Sequence, residues 1–444
     1  MSSLPANGFG LLRHRNFTLY LSARVLSTLA IQMQSVAIGW QVYEMTGSLF
    51  DLGLIGLAQF APFLVLILIA GHAADRYNRR NIILLCFLAQ LTCGLLLLAF
   101  TYSGLKAVWP VFAVLVLFGS ARAFMMPASQ AILINLVPPD SFRKAVALSS
   151  SSFHVAVITG PILGGLLYIA GPKVVYIIVA ALLSVSVLLM AQTSASPQAT
   201  NRKPASLHHM LEGLRFVWSR PVVLGAISLD LFAVLFGGAT ALLPAYAHDV
   251  LQVGPTGLGF LRTAPGVGAA LTSVTLAFWP ISRHVGRWMF GGVAVFGAGT
   301  IVLGTSTLFP LSFAALLLMG AGDMVSVYIR HLLVQFETPD EIRGRVSAVN
   351  AVFIGASNEL GEFESGVTAG WFGLTPALIL GGMATLGVAA IWAWRFPVLR
   401  RMDRFPAAAG SPAGRPPAAS GTDQPAAGRS DLITDVKSGT SRQG

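Results

Sequence analysis

Twelve stretches of about 20 mostly apolar residues run through this chain of 444 residues, and they limit its fold more than any other feature. A helix of that length and apolarity crosses the hydrocarbon core of a bilayer. Only 11% of the residues are charged, whereas about a quarter are charged in a soluble domain. No alternating pattern suggests an outer-membrane barrel. The sequence therefore predicts an all-α polytopic membrane protein with twelve transmembrane helices. Numbered in chain order, the segments lie near residues 17–43, 50–73, 81–101, 108–136, 145–170, 173–192, 221–247, 257–279, 288–307, 310–335, 346–370 and 374–394.

Positive charges are distributed unevenly between the two sides of the predicted membrane. Of the 29 Lys and Arg residues, 23 lie in the N-terminus, in the tail and in the five loops on the same side as both. Lys106 and Lys173 are the two that lie in the opposite loops. By the positive-inside rule, both termini are predicted to be cytoplasmic. The net charge of +11 therefore orients the chain in a membrane, and it does not indicate a nucleic-acid-binding surface.

A hydrophilic break after segment 6 divides the chain into two sets of six segments. We predict a first bundle at residues 1–192, a linker at 193–220 and a second bundle at 221–402. The linker begins with residues typical of a flexible chain and ends with apolar residues at helical spacing, so we expect a short amphipathic helix on the cytoplasmic membrane surface. Residues 403–444 are rich in Pro, Ala, Gly and Ser and are predicted to form a disordered cytoplasmic tail.

The two predicted bundles repeat each other in sequence. Residues 139–146 match residues 339–346 at an offset of 200, and Leu52-Gly53 aligns with Leu258-Gly259 at an offset of 206. An ordered series of such matches indicates internal duplication, and duplicated membrane carriers place the substrate path between their repeats. The sequence thus predicts two pseudo-symmetric six-helix bundles. The repeated loops carry the same charged pair in each half, namely Asp140, Arg143, Asp340 and Arg343.

The loop between segments 2 and 3 reads Gly71-His-Ala-Ala-Asp75-Arg76-Tyr-Asn78-Arg79-Arg80. It resembles the signature loop of the major facilitator superfamily of transporters, Gly-x-x-x-Asp-Arg-x-x-Arg-Arg, with Asn78 in place of the usual glycine. The resemblance implies the fold of that superfamily and a cytoplasmic gate that latches the two halves, formed by Gly71, Asp75, Arg76, Arg79 and Arg80. Residues 282–287 of the second half keep arginines but lack the acid, so a full latch is expected on one side only. A merely basic cytoplasmic loop is the alternative.

Ionisable residues inside apolar segments are costly in hydrocarbon, so each of them indicates a function or a partner. The apolar spans of segments 3, 6, 9 and 12 contain no charged residue. The superfamily resemblance implies that these four segments face lipid and that segments 1, 4, 7 and 10 line a central cavity. Segment 8 also contains a charge, Arg262. Arg24, Arg122 and Arg330 together suit an anionic or zwitterionic cargo. The candidates for substrate contact and proton coupling are Arg24, Gln34, Arg122, Asp230, Asp323, Arg330, Glu359 and Glu362.

Segment 1 supports a cavity independently of any resemblance. At about 100° per residue, its polar side chains fall within one face about 120° wide. A polar stripe on a membrane helix faces water or protein rather than lipid. We interpret the stripe as cavity lining, with hydrogen bonding between helices as the alternative. Its members are Arg24, Ser27, Gln34, Ser35 and Gln41.

Segment 5 contains Ala156-Val-Ile-Thr-Gly160-Pro161-Ile-Leu-Gly164-Gly165. This run resembles the antiporter motif of drug–proton exchangers, Gly-x-x-x-Gly-Pro-x-x-Gly-Gly, with Ala156 in place of the first glycine. Small residues let two helices approach closely, and Pro161 removes a backbone hydrogen bond. The resemblance implies an exporter that exchanges substrate for protons. Ordinary packing of small residues between helices is the alternative.

Segment 11 contains three acids, of which Glu359 and Glu362 share a helix face and Glu364 points elsewhere. Carboxyl groups buried beside one another are candidates to bind and release protons during a transport cycle. Static pairing with Arg122, Arg262 or Arg330 is the alternative. The run Asn-Glu-Leu-Gly-Glu-Phe at 358–363, together with the signature and repeated loops, resembles the enterobactin-exporter branch of the superfamily.

Together these features predict a proton-coupled secondary transporter that exports a small organic molecule, a siderophore or a drug-like compound, across the bacterial inner membrane by alternating access. Its predicted partners are this substrate, protons and the lipid bilayer, and we expect it to act as a monomer without metal or cofactor. No catalytic set or nucleotide motif indicates an enzyme. Two alternatives stay open: a proton-linked uptake symporter for a small polar metabolite, and a non-transporting membrane sensor with the same fold.

Overall fold

A computed structural model describes residues 8–104, 106–194 and 207–406, with side chains except those of residues 8–10, 68, 75, 207–211 and 340. Residues 195–206 of the predicted linker, the tail from residue 407 and the side chains of Asp75 and Asp340 therefore lie outside the described residues. Within the described ranges the chain is helical and contains no strand, so the predicted all-α fold class is confirmed.

The first half consists of six long helices that coincide with the first six predicted segments. Local chemistry sets their ends. Gly47 and Gly104 end α1 and α3 in the left-handed conformation, with φ of 59° and 66°, which glycine adopts without steric cost. Ser48 caps α2 by accepting a hydrogen bond from the Asp51 amide at 3.2 Å. The helices are α1 Arg15–Thr46, α2 Leu49–Arg76, α3 Arg79–Ser103, α4 Trp109–Leu136, α5 Phe142–Tyr168 and α6 Pro172–Ala191.

The second half begins with the amphipathic helix of the linker and then repeats the six-segment pattern. Two of its helices have only three and four residues, and the linker helix has 13. The helices are α7 Leu207–Ser219, α8 Pro221–Phe236, α9 Leu243–Ala245, α10 Gly254–Phe278, α11 Val285–Thr305, α12 Phe309–Glu337, α13 Asp340–Phe372, α14 Leu374–Arg395 and α15 Pro397–Arg400.

Segment 7, predicted as one continuous helix, is interrupted in the structure. After α8 the chain forms a 3-10 turn at Ala239–Leu242, the short α9, and a π-helix at Tyr246–Val250. The interruption falls at Gly237 and Gly238, which lack a Cβ and therefore weaken a helix. A Cβ on Gly238 would lie 2.3 Å from the Gly361 carbonyl oxygen, so this close approach to α13 requires glycine.

Nine helical stretches of the described chain are long and apolar enough to cross a membrane. The other three long helices, α1, α10 and α13, are less apolar. They carry Arg24, Arg262, Glu359 and Glu362, and such polar faces must be turned toward protein or water in a bilayer. The twelve predicted segments thus have helical counterparts, and the crossing of the membrane by all twelve stays a prediction.

Glycine contacts bring the two halves together along two seams, α2 against α13 and α5 against α10. We call the end of the bundle that carries the α2–α3 loop the motif end, and the opposite end, where α1 meets α2, the distal end. A Cβ on Gly366 would lie 2.4 Å from the Gly53 Cα, and a Cβ on Gly259 would lie 2.5 Å from the Pro161 carbonyl oxygen. Both crossings lie toward the distal end, so the halves touch there.

The amphipathic helix α7 packs against α8 and α13. Arg345 on α13 forms an ion pair with Glu212 on α7, and a Cβ on Gly213 would lie 2.9 Å from the Arg345 carbonyl oxygen. The linker helix is thus attached to the second half. Its predicted place on the membrane surface stays a prediction.

Residues just beyond the predicted end of the second bundle also pack against it. The Gly286 amide at the start of α11 donates to the Met402 carbonyl at 2.9 Å, and the His284 amide donates to the Asp403 carboxylate at 3.2 Å. Asp403 therefore supplies an acid beside the loop at 282–287, which has lost its own. Asp403 thus contacts the start of α11, although the disordered tail was predicted to begin at this residue.

Candidate functional site: a charged cavity between the two halves

A cavity of about 480 Å³ lies between the halves. Helices α1 to α5 supply most of its wall, and α10 and α13 supply the rest. Five of the predicted site residues line it: Arg24, Gln34, Arg122, Glu359 and Glu362. Aromatic, methionine and glutamine side chains share the wall: Phe87, Phe118, Phe153, Met125, Met126, Gln32, Gln59, Gln90 and Gln130. A cavity of this size, in which charged and polar side chains alternate with apolar ones, can hold a small organic molecule with both polar and apolar parts.

One ion pair crosses the cavity from the first half to the second. The guanidinium of Arg122 on α4 contacts the carboxylate of Glu359 on α13. The Arg122 side chain is 48% exposed and that of Glu359 is 12% exposed, so the pair borders open space rather than packed protein. Of the three arginines named as alternative partners of the segment 11 acids, Arg122 is the one that Glu359 contacts. Because the partners sit on different halves, a movement of one half against the other would break this pair.

Arg262 on α10 lies on the cavity wall, although the sequence interpretation did not include it among the site residues. Its Nη1 donates to the Ser35 hydroxyl on α1 at 2.5 Å, which is a second contact between the halves. Its charge was visible in segment 8, but the superfamily resemblance assigned the cavity to segments 1, 4, 7 and 10. The close seam between α5 and α10 is what brings Arg262 to the wall.

Glu362 lies one helical turn after Glu359 and faces the same cavity. Its charge interacts with those of Arg262 and Arg122, yet within the described residues it has no hydrogen bond or ion pair. Glu364 accepts a hydrogen bond from the Thr368 hydroxyl at 2.8 Å on another face of α13 and does not line the cavity. The predicted division between the first two acids and the third thus matches the observed geometry.

The polar stripe of α1 divides between the two predicted roles. Arg24, Ser27, Gln34 and Ser35 line the cavity. Gln41, nearer the distal end, instead donates to the Thr101 hydroxyl at 3.2 Å and accepts from the Tyr176 hydroxyl at 2.8 Å. Cavity lining therefore applies to most of the stripe and hydrogen bonding between helices to its last member.

Asp230 and Arg330 occupy a different position from the other candidates. Asp230 on α8 and Arg330 on α12 form an ion pair inside the second half, with side chains only 5% and 2% exposed. Asp323, seven residues before Arg330 on the same face of α12, interacts electrostatically with both. Within the described residues, α8 and α12 contribute no side chain to this cavity, although the resemblance places segments 7 and 10 on its wall.

The small residues of the segment 5 motif pack in two directions. Gly160 and Gly164 face α1 of the same half, where a Cβ would lie 2.4 Å from the Gln32 Cβ and 2.8 Å from the Met33 Cα. Pro161 and Gly165 face α10 of the other half, where a Cβ on Gly165 would lie 2.4 Å from the Pro255 carbonyl oxygen. The motif therefore serves helix packing within one half and across the seam.

The arginines of the signature loop bind the ends of neighbouring helices. Arg79, which is buried, donates through Nη1 to the Ala131 carbonyl at 2.9 Å and the Asn135 side-chain oxygen at 3.0 Å, both on α4. Arg80 donates to the Thr193 carbonyl at 3.1 Å, just after α6. Cations at helix C-termini satisfy terminal carbonyls and complement the helix dipole. Asn78 caps α3 at φ −64°, so glycine is not needed there.

The remaining gate and loop residues lie at the surface of the motif end. Arg76 is exposed, and a Cβ on Gly71 would meet no atom within 4 Å. Asp140 and Arg143 are exposed in and after a 3-10 turn at Pro139–Ser141. Arg343 donates to the Thr338 carbonyl at 3.2 Å.

A cluster of aromatic and ionisable side chains joins the halves at the distal end. The Tyr43 hydroxyl on α1 donates to the Asp249 carboxylate in the π-helix of the second half. The Nδ1 atom of His248 lies 2.6 Å from the Oδ1 atom of Asp249, and the centroid of the His248 ring lies 5.4 Å from that of the Trp40 ring. A π-helix often marks a functional segment. These contacts cover the distal side of the cavity.

Two duplicated six-helix halves that enclose a charged cavity at their interface are the architecture of a secondary transporter. Solved structures with the same fold agree. A bacterial homologue of the human lysosomal transporter Spinster, in an inward-facing and unoccupied conformation, superposes with a TM-score of 0.67 at 14% identity, over 87% of this chain and 96% of that one. A bacterial homologue of the iron transporter ferroportin gives a TM-score of 0.65 at 15% identity, over 87% and 99%. The chain therefore shares the fold of these two membrane transporters.

Sequence comparison narrows this class. The model of the transmembrane secretion effector family matches residues 6–417, and the chain belongs to that family. The multidrug efflux pump Tap of Mycolicibacterium fortuitum is 28% identical over 389 residues, which cover 83% of this chain and 92% of Tap. The enterobactin exporter EntS of Shigella dysenteriae serotype 1 (strain Sd197) is 26% identical over 391 residues, which cover 84% and 92%. The protein is therefore a multi-pass membrane transporter of the major facilitator superfamily, and its resemblance to exporters of that superfamily is confirmed.

Proposed function

We propose that this transporter is a proton-coupled exporter that moves a small organic molecule out of the cytoplasm across the bacterial inner membrane by alternating access. The direction is taken from two relatives whose names are those of an efflux pump and an exporter. The observation that carries the mechanism is the ion pair between Arg122 and Glu359, because it joins the two halves across the cavity.

The positive-inside rule gives the orientation used in this proposal. It puts the motif end and both termini in the cytoplasm and the distal end outside. Since the halves touch at the distal end through Gly53, Gly366 and the Tyr43–Asp249 contact, the structure corresponds to an inward-facing state. In that state substrate enters the cavity from the cytoplasm.

Proton coupling is assigned to the carboxyl groups, because an arginine side chain stays protonated throughout. In the inward-facing state the Arg122–Glu359 pair is formed and the carboxyl is ionised. Substrate in the cavity competes for the Arg122 cation, and the halves rock to open the distal end. The freed carboxyl then takes a proton from outside. The proton is released to the cytoplasm when the cavity opens inward again and the pair re-forms. Glu362, beside the same arginines, is the second candidate carrier.

Transport by the full-length protein reconstituted in liposomes tests this proposal. Efflux of two probes, the dye ethidium and the catecholate 2,3-dihydroxybenzoate, is followed under an imposed pH gradient while an internal pH indicator reports proton movement. We expect at least one probe and protons to move in opposite directions, and we expect transport to stop when an ionophore collapses the gradient.

Matched glutamate variants show whether the cavity carboxyls are responsible. Glu359→Gln and Glu362→Gln are expected to abolish the dependence on the pH gradient, whereas Glu364→Gln keeps it, because Glu364 is on the same helix but off the cavity. Protons and probe moving in the same direction would instead establish the uptake symporter. Unchanged probe levels with every variant and gradient would favour the sensor.

A further inference from the structure

The cavity wall carries more positive than negative charge. Arg24, Arg122 and Arg262 oppose Glu359 and Glu362. Arg122 is paired with Glu359, but neither Arg24 nor Arg262 forms an ion pair with any described carboxylate. Two cations and one carboxylate, Glu362, are thus left outside ion pairs on this wall, and the charge of Glu362 interacts with that of Arg262. In a partly enclosed cavity, such charges favour an anionic ligand over a neutral or cationic one.

The polar contacts of these two arginines leave binding capacity unused. Arg24 donates to the Ser149 hydroxyl and lies 5.1 Å above the Phe153 ring, and both groups are neutral. Arg262 donates to Ser35, but its Nε is buried and has no hydrogen-bond partner in the described structure. A buried donor without a partner costs free energy, so it points to a missing acceptor.

A second buried polar atom on the wall is also without a partner. The side chain of Gln90 on α3 is only 3% exposed, and its Oε1 accepts no hydrogen bond from the described residues. The wall thus offers an unused acceptor as well as an unused donor. A ligand with an acidic group and a separate hydroxyl or amide donor would satisfy both.

Helix geometry separates the two arginines along the cavity. Arg24 and Ser35 are eleven residues apart on α1, so they lie on the same face and about 16 Å apart along its axis. Because Arg262 is bound to Ser35, its guanidinium lies nearer the distal end than the position of Arg24 on α1. Phe87, Phe118 and the methionines 125 and 126 line the same cavity.

We propose that the cavity binds an amphipathic organic anion whose acidic group is held by Arg262 and whose apolar body lies along the phenylalanine and methionine side chains. Arg24 attracts the anion from the motif end. Arg262 also bonds to Ser35 across the halves, so a ligand on Arg262 contacts the seam that must open. This inference rests on the proposed transport function and adds the charge class of its substrate.

Binding to the full-length protein in lipid nanodiscs tests the charge class at pH 7. Three probes that share a naphthalene ring and differ in the charge of its substituent are used: 2-naphthoate, 2-naphthamide and (2-naphthylmethyl)trimethylammonium. The naphthoate is expected to bind at least about tenfold more tightly than the amide, since a charge-assisted hydrogen bond contributes roughly that factor or more. The ammonium probe is expected to bind most weakly.

Arginine variants assign the anion subsite. Arg262→Gln is expected to remove the preference for naphthoate over naphthamide, whereas Arg262→Lys retains a preference because it keeps the charge. Arg24→Gln is expected to slow naphthoate association about threefold or more while leaving most of the preference intact. Arg395→Gln, at an exposed position outside the cavity, serves as the control. Gel filtration and thermal unfolding establish that each variant is folded.

Three outcomes would overturn the proposal: equal binding of naphthoate and naphthamide, tighter binding of the ammonium probe, or an unchanged preference in folded Arg262→Gln. Counterflow of each probe in liposomes separates this failure from that of the proposed function. If the amide or the ammonium probe is exchanged by the wild type while naphthoate is not preferred, the transport function stands and the anion inference is wrong.

Discussion

Two arginine–carboxylate pairs of the same chemistry occupy different environments in this transporter. Arg330–Asp230 is sealed inside the second half, with both side chains at most 5% exposed. Arg122–Glu359 joins the two halves and borders the cavity, with Arg122 48% exposed. The first pair connects helices that move together. The second connects bodies that must move apart in alternating access.

The difference shows how environment decides what an ion pair does. A charge buried in protein needs its counter-charge at all times, because an unpaired one pays the full desolvation cost. A pair next to water loses little when it opens, since solvent replaces the partner. We therefore propose a structural role for the buried pair and a mechanistic role for the cavity pair, and we expect the larger loss of stability at the buried pair.

The largest effect is expected at the buried pair. Arg330→Met leaves the Asp230 carboxylate without its cation, so the free energy of unfolding should fall by about 3–5 kcal/mol. Denaturant-induced unfolding of the purified protein in detergent, followed by tryptophan fluorescence, measures this. The double variant Arg330→Met/Asp230→Asn should recover most of the loss. Stability of Arg330→Met equal to that of the wild type would remove the basis of the comparison.

The next effect is expected where the halves meet without charge. Gly366→Ala places a Cβ 2.4 Å from the Gly53 Cα, so backbone must shift at a cost of about 1–3 kcal/mol. Because this contact closes the distal end, we expect slower transport as well as lower stability. Gly291→Ala, where a Cβ meets no atom within 4 Å, is the matched control. Equal behaviour of the two variants would mean that the distal seam is not tightly packed.

A smaller stability effect, with a large functional one, is expected at the cavity pair. Arg122→Gln should change the free energy of unfolding by less than about 1 kcal/mol, as for other solvent-accessible pairs. Transport should nevertheless fall about tenfold, which corresponds to about 1.4 kcal/mol in the barrier. The charge exchange Arg122→Glu/Glu359→Arg should restore part of the activity. Loss of stability as great as for Arg330→Met would show that both pairs are structural.

The smallest effect is expected at the first glycine of the signature loop. Gly71 lies in α2 with no atom near its missing Cβ, so Gly71→Ala should be neutral or stabilise the helix by up to about 1 kcal/mol. Transport is expected to stay within about twofold of the wild type. Arg79→Ala, which removes bonds to α4, provides the contrasting variant. A severe transport defect in Gly71→Ala would require a contact in another conformation.

Sequence patterns predicted the parts of this structure that depend on local periodicity. The length of the apolar segments predicted the long helices, and the polar stripe on α1 identified a face of which most members line the cavity. The offset of 206 residues equated Gly53 with Gly259, and each crosses a helix of the opposite half in the structure. These features are readable because helical spacing and duplication leave a regular imprint on the chain.

Features that depend on distant partners were not predictable in this way. Nothing in the spacing of segment 8 indicates that Arg262 reaches Ser35 on α1. The choice of Glu359 for Arg122 and of Asp230 for Arg330 depends on which helices pack together, and several pairings were open from sequence. The two glycines at the interruption of segment 7 are visible in the sequence, but the close approach of Gly238 to α13 is also a tertiary contact.

Alternation of the two halves is tested most directly by distances between spin labels at both ends of the bundle. One labelled pair, Lys106→Cys and Leu308→Cys, spans the halves at the distal end, and another, Tyr77→Cys and Arg283→Cys, spans them at the motif end, in a background without Cys86 and Cys93. Double electron–electron resonance in nanodiscs should show the distal distance lengthen and the motif-end distance shorten when the pH is lowered or substrate is added. Tyr43→Phe should favour the same change, since it removes the bond to Asp249. Distances that stay fixed at both ends under all these conditions would contradict alternating access.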